Sequence, residues 1–455
     1  MPSLKKSKFN VAFQDGEKHV YFNKITNLLG EFDSYEHEAF LSDRYDEPEY
    51  AGLKHRLAEM GCLVPTWRNE ARILKDYYAR FVKPFEFTVE LSRLCNFKCS
   101  YCYQNGTHDY RKVISKEVMD ACVRYASFVL SEKDVKEFEL NFIGGEPLLH
   151  KEQLLYVYSR LADVLSRNGS IRWKVAFDTH GAQLDHDFLS ECRNCVFSVS
   201  MTPKEHHDRT RPFLGGQPTF DIILNNIVKN RRHFDRDGNL LIIRYNLDHD
   251  NCDHMVDFMR LVKGLGVKNL SFMVVNVVNY DFNPFYRNNL TEQDYFNHCT
   301  IALDEMVNLG IPVRVIPYGL ITPCHVFTPY SCKVFYDGRL NGCDIADEPG
   351  EGSIFDLPND SFFRGRESMN ALTHKLCLGD YKICNLQVFP LIGYLRAFRK
   401  SLREGKPHLF NDFLSFSKEM RENFDTLASE STAPPADTKV GEIAAINPAL
   451  PVLNV

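Results

Sequence analysis

The sequence predicts an α/β fold: a parallel sheet wrapped by helices, with a smaller α+β unit before it and a cysteine-rich extension after it. Strand-like and helix-like stretches alternate from about residue 85 to 278, which is the pattern of repeated β/α units. At 455 residues the chain exceeds one ordinary core, so two or three domains are expected. Cysteines crowd at residues 95–102 and again at 324–384.

The first 80 residues read as a unit of their own. "FNVAF" alternates Phe9, Val11 and Phe13 in strand fashion, and "HVYFN" supplies a second strand. Two helical stretches follow, the second ending at Gly61 as a C-cap before the strand-like "CLVP". Two or three strands with two or three helices make a winged-helix-sized module. Its charge is mixed, with "YDEPEY" in a loop, which argues against nucleic acid.

The central stretch, 81–315, carries six strand candidates: "FEFTVEL", "EFELNFI", "WKVAFD", "VFSVSM", "LIIRYNL" and "LSFMVVNVV". Between them lie helical patterns such as 152–165, which puts Leu154, Tyr158, Leu161 and Leu165 on one face. Six β/α units imply a partial or full barrel, with chemistry at the C-terminal strand ends. Cys95, Gly144, Thr179 and Ser200 fall there.

From 316 to 400 the alternation stops and Cys324, Cys332, Cys343, Cys377 and Cys384 appear. "KVFYDGRLNG" reads as a hairpin turned by Asp337-Gly338. One helical segment is expected from about Pro390 to Arg421, within a C-terminal helical region reaching 430. Residues 431–455, rich in Ala and Pro, read as a disordered tail.

Composition narrows the function classes. Apolar, charged and aromatic shares of 44%, 25% and 13% are those of a globular protein, and a net charge of −6 gives no pull toward nucleic acid. The N-terminus lacks the roughly seven apolar residues of a secretory signal, and no run approaches the about 18 apolar residues of a membrane span. The expectation is a cytoplasmic protein without a membrane partner. Its 14 cysteines then read as ligands, catalysts or buried thiols, not as a disulfide framework.

"CNFKCSYCYQNG" places Cys95, Cys99 and Cys102 at spacings of four and three. Zinc needs four ligands, usually in two pairs, and no second pair stands nearby. A c-type haem site would require His where Tyr103 stands, and a thioredoxin-like pair would leave Cys95 unexplained. A [4Fe–4S] cluster bound by three thiolates suits the loop best, because one iron then stays open to a ligand from outside the protein.

With these residues the sequence resembles the radical S-adenosylmethionine (SAM) enzymes from about Phe85 to Cys384. The resemblance implies a partial (β/α)6 barrel in which Cys95, Cys99 and Cys102 hold the cluster and SAM chelates its open iron. Reductive cleavage of SAM would give a 5′-deoxyadenosyl radical that abstracts a substrate hydrogen, the cofactor carrying the chemistry. "IGGEP" resembles the motif after the second strand, in which Gly144 and Gly145 admit the SAM amino group with Glu146 beside it. Tyr101 stands where the family sets an aromatic residue against the adenine. Thr179 in "FDTHGAQL" matches the family's Thr-Asn-Gly turn, with His180 in place of Asn. Ser200 resembles the ribose-contacting serine, but Met201, Thr202 and Pro203 replace the usual Leu-Asp-Gly, so Ser198 is a rival. Arg211 reads equally as a SAM or substrate contact and as a solvated arginine.

The C-terminal cysteines resemble a SPASM domain or its shortened twitch form. Cys324, thirteen residues, Gly338, four residues, Cys343 repeats the first half of that pattern, while the dense second half is reduced to "CLGDYKIC". This implies one auxiliary [4Fe–4S] cluster held by Cys324, Cys332, Cys343 and either Cys384 or Cys377, with a structural zinc at the same thiols as the alternative. The other thiols (Cys62, Cys122, Cys299 and the Cys192–Cys195 pair) read as structural. The N-terminal module resembles the PqqD-like peptide-recognition domain of ribosomal peptide maturases, where a leader peptide adds to the sheet edge. Together these imply a maturase acting on a precursor peptide with a low-potential donor such as flavodoxin or ferredoxin. The outcome would be a crosslink, a thioether, an epimerised centre or an oxidation. A sulfatase-maturing enzyme is the alternative, with Asp344 as its proton acceptor, and a non-catalytic iron–sulfur or zinc protein is the reading from another class.

Overall fold

The structure is a computed structural model that describes residues 3–81, 84–102, 104, 112–167, 169–236, 238–277, 288–317, 320, 328, 330–342, 352–358 and 390–430. It divides into two units: 1–81 with 398–407 and the chain beyond 414, and 82–397 with 408–413.

The first unit opens with β1 (Leu4–Lys6), β2 (Asn10–Asp15), β3 (Lys18–Asn23) and β4 (Leu29–Phe32). The helix α1 (Ser34–Leu41) follows, then α2 (Ala51–Glu59), β5 (Leu63–Pro65) and α3 (Glu70–Phe81). The strand pairs β2–β3 and β3–β4 form an antiparallel sheet, and β1 pairs with β5. All three predicted strands are present, as β2, β3 and β5, and β1 and β4 add to them. Asp33 and Glu36 close a capping box at the start of α1. Gly61, at φ +74°, follows the last turn of α2 as its sequence required. Tyr21, Phe32, Phe40, Tyr45, Leu53 and Leu57 supply a core to this unit. Buried Asn23 ties its loops together, donating to Ser7 Oγ, Asn10 Oδ1 and the Gly61 carbonyl and accepting from Ile25 N and Thr26 N.

The second unit begins with β6 (Pro84–Glu90), followed by α4 (Lys116–Glu132), β7 (Glu137–Ile143), α5 (Lys151–Arg167) and β8 (Arg172–Thr179). It continues through α6 (His186–Glu191), β9 (Cys195–Ser200), α7 (Lys204–Thr210), α8 (Phe220–Phe234) and β10 (Leu240–Leu247). α9 (Met255–Gly264), β11 (Leu270–Asn276), α10 (Glu292–Leu309), β12 (Cys332–Val334) and β13 (Leu340–Asn341) complete it. The six predicted strands, β6 to β11, lie side by side in chain order and all parallel. The β12 strand adds parallel to β6, and β13 folds back on β12 through the predicted turn, with Gly338 at φ +86°.

The alternation within these strands decides the architecture. Parallel strands buried on both faces read as continuous apolar runs, whereas β6 to β8 largely alternate apolar with polar residues, and β9 to β11 mix apolar residues such as Val196, Ile242 and Met273 with polar ones on the second face. Phe85, Phe87, Phe177, Phe197 and Tyr245 meet Tyr125 of α4, Phe188 of α6, Phe234 of α8 and Phe258 of α9. The other face carries Glu86, Asn141, Lys174, Glu139, Asp178 and Arg244, paired among themselves. Helices covering one apolar face, with a polar face opposite, give the one-sided wrap of a partial barrel.

At the C-terminus the structure corrects the single helix expected from 390 to 421. It is two helices, α11 (Leu391–Arg403) and α12 (Asn411–Glu430). Gly405 at φ +69° stops the first, with Lys406 N donating to the Ser401 carbonyl at 2.7 Å, and Pro407 opens the next turn. Most of α12 belongs to the first unit, where Phe424 stacks on Tyr77 of α3. Arg399, also in the first unit, pairs with Asp15 of β2 and Glu31 of β4.

Candidate active site at the strand ends

The cysteine loop leaves β6 and runs beneath the start of the next β/α connection. Gly145 N donates to the Ser92 carbonyl at 3.0 Å and Glu146 N to the Leu94 carbonyl at 2.8 Å. A Cβ on Gly145 would stand 2.9 Å from Cys95 N and nearer still to the Leu94 carbonyl, so only glycine permits this approach. Here the two glycines admit the backbone of the cysteine loop itself.

The far side of the loop is strapped by the segment after α7. Lys98 N donates to the Pro212 carbonyl, Ser100 N to the Thr210 carbonyl and Leu214 N to the Asn96 carbonyl, at 2.8–2.9 Å. Phe97 bridges to Phe213. Cys95 is buried, Cys99 and Cys102 are half-buried, and Cys102 N closes a turn onto the Cys99 carbonyl. Burial pushes the Cys95 thiol up to about 12, and the neighbouring Cys99, Glu146 and Cys102 add to it.

Glu146 is fully buried and its carboxylate is already engaged. It accepts from Thr179 Oγ1 at 2.7 Å, Leu148 N at 3.0 Å and His180 N at 2.7 Å. Burial pushes its pKa up to about 7 against the pull of those donors. Its observed role is therefore to fix the turn after β8. In that turn Thr179 Oγ1 accepts from Gly181 N, and Gly181 takes φ +86°. His180 is the residue that replaces the expected Asn. Ala182 N donates to its Nδ1 at 3.0 Å, which places the ring proton on Nε2, and that N–H donates to Asn96 Oδ1 at 2.8 Å. Burial and Arg211 hold its pKa well below the ordinary value, so the ring is neutral and its 3.3 Å approach to Glu146 is not an ion pair.

Arg211 is 5% exposed, which overturns the solvated reading. Its Nη1 donates to the Tyr101 hydroxyl at 3.0 Å, and Asn246 Nδ2 at the end of β10 donates to the same oxygen at 2.9 Å. Thus Tyr101, Arg211 and Asn246 meet beside the cysteines. Of the two serines of β9, Ser198 is buried with an Oγ that finds no partner among the described residues, and Ser200 is half-buried at the strand end. Sequence reasoning missed the knot next to them. The Thr202 hydroxyl meets His206 Nδ1, and His206 Nε2 meets buried Asp248 Oδ2, both at 2.9 Å, which joins the ends of β9 and β10. "EHHD" carried no spacing signal for this, because the partner lies 42 residues on.

Cys332 stands in register with Phe87, on the face that packs against α4, and its thiol interacts with that of Cys122. This placement favours a packed core thiol there over a cluster ligand. Cys324, Cys343, Cys377, Cys384 and Asp344 lie outside the described residues. Cys192 and Cys195 are both buried, as a structural pair should be.

The donor set can be tested against an iron–sulfur cluster. Among the described residues, the Sγ atoms of Cys95, Cys99 and Cys102 do not all three lie within 4.8 Å of one another, the spacing that one ion requires. A cubane, by contrast, binds each thiolate at a different iron. Arg211 is a buried cation with no carboxylate ion partner among the described residues, and its Nε is unpartnered, so an anionic group beside it is called for. The residues fit a cluster and its cosubstrate.

Residues 89–262 match the radical SAM superfamily. These residues form a radical SAM domain, and the protein is an enzyme. It is 24% identical over 288 residues to the probable GTP 3′,8-cyclase of Saccharolobus islandicus, covering 58% of this chain and 84% of that protein. It is 27% identical over 315 residues to the cysteine-type anaerobic sulfatase-maturating enzyme of Clostridium perfringens, covering 64% and 81%. The solved structure of native anSMEcpe with bound AdoMet and Kp18Cys peptide shares the fold at a TM-score of 0.50 and 18% identity, covering 74% of this chain and 99% of that one. Radical SAM enzymes use SAM and a [4Fe–4S] cluster, which together supply hydrogen-atom abstraction from a C–H bond. The protein's part is to orient the cysteines with the Gly144–Glu146 and Thr210–Leu214 segments. It also sets Arg211 and Asn246 on Tyr101 and packs His180 and Phe213 on Phe97. Among the described residues, no helix is long and apolar enough to cross a membrane.

Proposed function

We propose that this radical SAM enzyme is a maturase of ribosomally made peptides, abstracting hydrogen from a residue of a precursor whose leader docks on the first unit. The observation that carries this reading is the first unit itself, which has its own core and precedes the radical SAM domain. Its sheet ends at β4, which pairs only with β3 among the described strands and leads directly into α1. Tyr35 and Leu41 of α1, the helix that follows β4, are 58% and 60% exposed. A strand paired on one side suits an extended peptide that adds as a strand, which here would take the Glu31 carbonyl from Arg56.

In this reading Cys95, Cys99 and Cys102 hold the cluster, Tyr101 meets the adenine, and Ser198 or Ser200 meets the ribose. Gly144, Gly145, Glu146, Thr179 and Arg211 shape the SAM site. An auxiliary [4Fe–4S] cluster on Cys324, Cys343 and Cys377 or Cys384, with a flavodoxin or ferredoxin as donor in the cytoplasm, completes it. The second reading, formylglycine formation in a sulfatase, is supported by the 27% identity to the Clostridium perfringens enzyme. Anaerobic assays with short peptides encoded beside the protein, with and without their leaders, test the first reading. The expected result is 5′-deoxyadenosine release and a mass change that both require the leader. Modification of a sulfatase Cys or Ser peptide, with every neighbouring peptide unchanged, would replace the first reading by the second.

A further inference from the structure

The cysteine that no motif explains, Cys252, sits in a short 3-10 turn (Cys252–His254) between β10 and α9. Its neighbour Asp253 and His298 of α10 converge on it. One ligand atom from each of the three lies within 4.8 Å of the others, the single such group among the described residues. The Cys252 Sγ to Asp253 Oδ1 distance is 3.9 Å. Tetrahedral bonds of about 2.3 Å to sulfur and about 2.0 Å to oxygen need roughly 3.5 Å, so a small rotation of the exposed Asp253 suffices.

His298 is already set for the task. Its Nδ1 lies 2.8 Å from the Asp294 carbonyl, an oxygen that can only accept, so Nδ1 carries the proton and Nε2 keeps its lone pair. A ligating histidine is commonly fixed in this way, by a hydrogen bond from its other nitrogen. One thiolate, one imidazole and one carboxylate form a borderline-soft set. Such a set suits zinc, whereas calcium and magnesium take oxygen ligands.

We propose that Cys252, Asp253 and His298 bind one zinc-class divalent cation, with water in the fourth position, and thereby pin the β10–α9 turn to α10. The turn matters because its other side serves the strand ends. Cys252 N donates to the Asp248 carbonyl at 3.1 Å, Asp248 holds His206, and Asn251 donates to the carbonyl of Asn246, whose side chain holds Tyr101. The site shares no residue with the cysteine loop.

The test uses the untagged full chain, reconstituted anaerobically with iron and sulfide and then equilibrated with zinc against a competing chelator. About one zinc per chain beyond the iron is expected, with an X-ray absorption fit of one sulfur and the remainder nitrogen or oxygen. Cys252→Ser and His298→Gln should each weaken zinc on the order of a hundredfold while leaving iron content unchanged. Asp253→Asn, on an exposed residue that folding does not need, should weaken it about tenfold and decides the matter if either other variant fails to fold. Zinc affinity unchanged in these variants, or a fit with three or four sulfurs, would overturn the proposal and move the metal to other cysteines.

Discussion

His180 lies flat on Phe97, ring centroids 3.8 Å apart and planes 8° from parallel, while its Nε2–H donates to Asn96. One imidazole therefore clamps the cysteine loop to the end of β8 by two different forces. His180→Ala removes a stack of about 1 kcal/mol and a hydrogen bond of similar size. Together they change the loop's closed-to-open ratio on the order of thirtyfold. Iron retained after a chelator challenge should fall accordingly, and retention equal to wild type would show that the clamp is idle.

Gly145→Ala drives a methyl into the backbone of Leu94 and Cys95, where nothing can rotate away. The loop must shift, so the variant is expected to lose most of its iron. Gly169→Ala, with no atom within 4 Å, is the control and should load normally.

Tyr101→Phe leaves the Arg211 and Asn246 donors without their shared acceptor. Unmade buried bonds cost about 1–3 kcal/mol, so SAM affinity by equilibrium dialysis should drop roughly tenfold or more. An unchanged affinity would mean that water replaces the phenol.

His207 is buried and accepts from Thr202 N at 3.4 Å, and burial holds its pKa well below 6.5. The unfolded chain takes up a proton there near pH 6.5 and the folded chain does not, so stability falls as pH drops below 6.5. Glu146, raised toward 7, works in the opposite direction, so the comparison is with His207→Phe. Urea unfolding of the variant should show a pH slope shallower by up to about 1.4 kcal/mol per unit below 6.5. Equal slopes would reject a neutral buried His207.

Cys95→Ala, Cys99→Ala and Cys102→Ala should each lose about four irons per chain and all 5′-deoxyadenosine release. Cys332→Ala should keep its iron and lose only about 1–2 kcal/mol of stability, since its thiol packs against α4. Loss of iron in that variant would make Cys332 a ligand after all.

Much of this was legible in the chain. The first three strands were visible because they largely alternate polar with apolar residues, the next three because they are short apolar-rich runs, and the cysteine loop because its spacing is local. The strap from Lys98 to Leu214 was not, since backbone pairing between two loops leaves no periodic trace. The burial of Arg211 ran against the ordinary exposure of arginine, and its partner Tyr101 lies 110 residues away. Cys252 and His298 carry no spacing motif, because a shared ligand position between two turns of different elements writes nothing into the sequence. The break between α11 and α12 was readable from Gly405 and Pro407, but helical periodicity on both sides masked it.

Because β6 to β11 lie in the order in which they are synthesised, the sheet can grow strand by strand behind the ribosome. The cysteines emerge with the first strand, yet the strap at Thr210–Leu214 and the Asn246 that steadies Tyr101 are made more than a hundred residues later. For that interval the Gly145–Glu146 turn and His180 can reach the cysteine loop, but its strap and the Tyr101 partners are still missing. A loop completed only by residues 210–246 is best loaded after they are made, so a chain truncated before residue 246 is expected to retain less iron than the full chain.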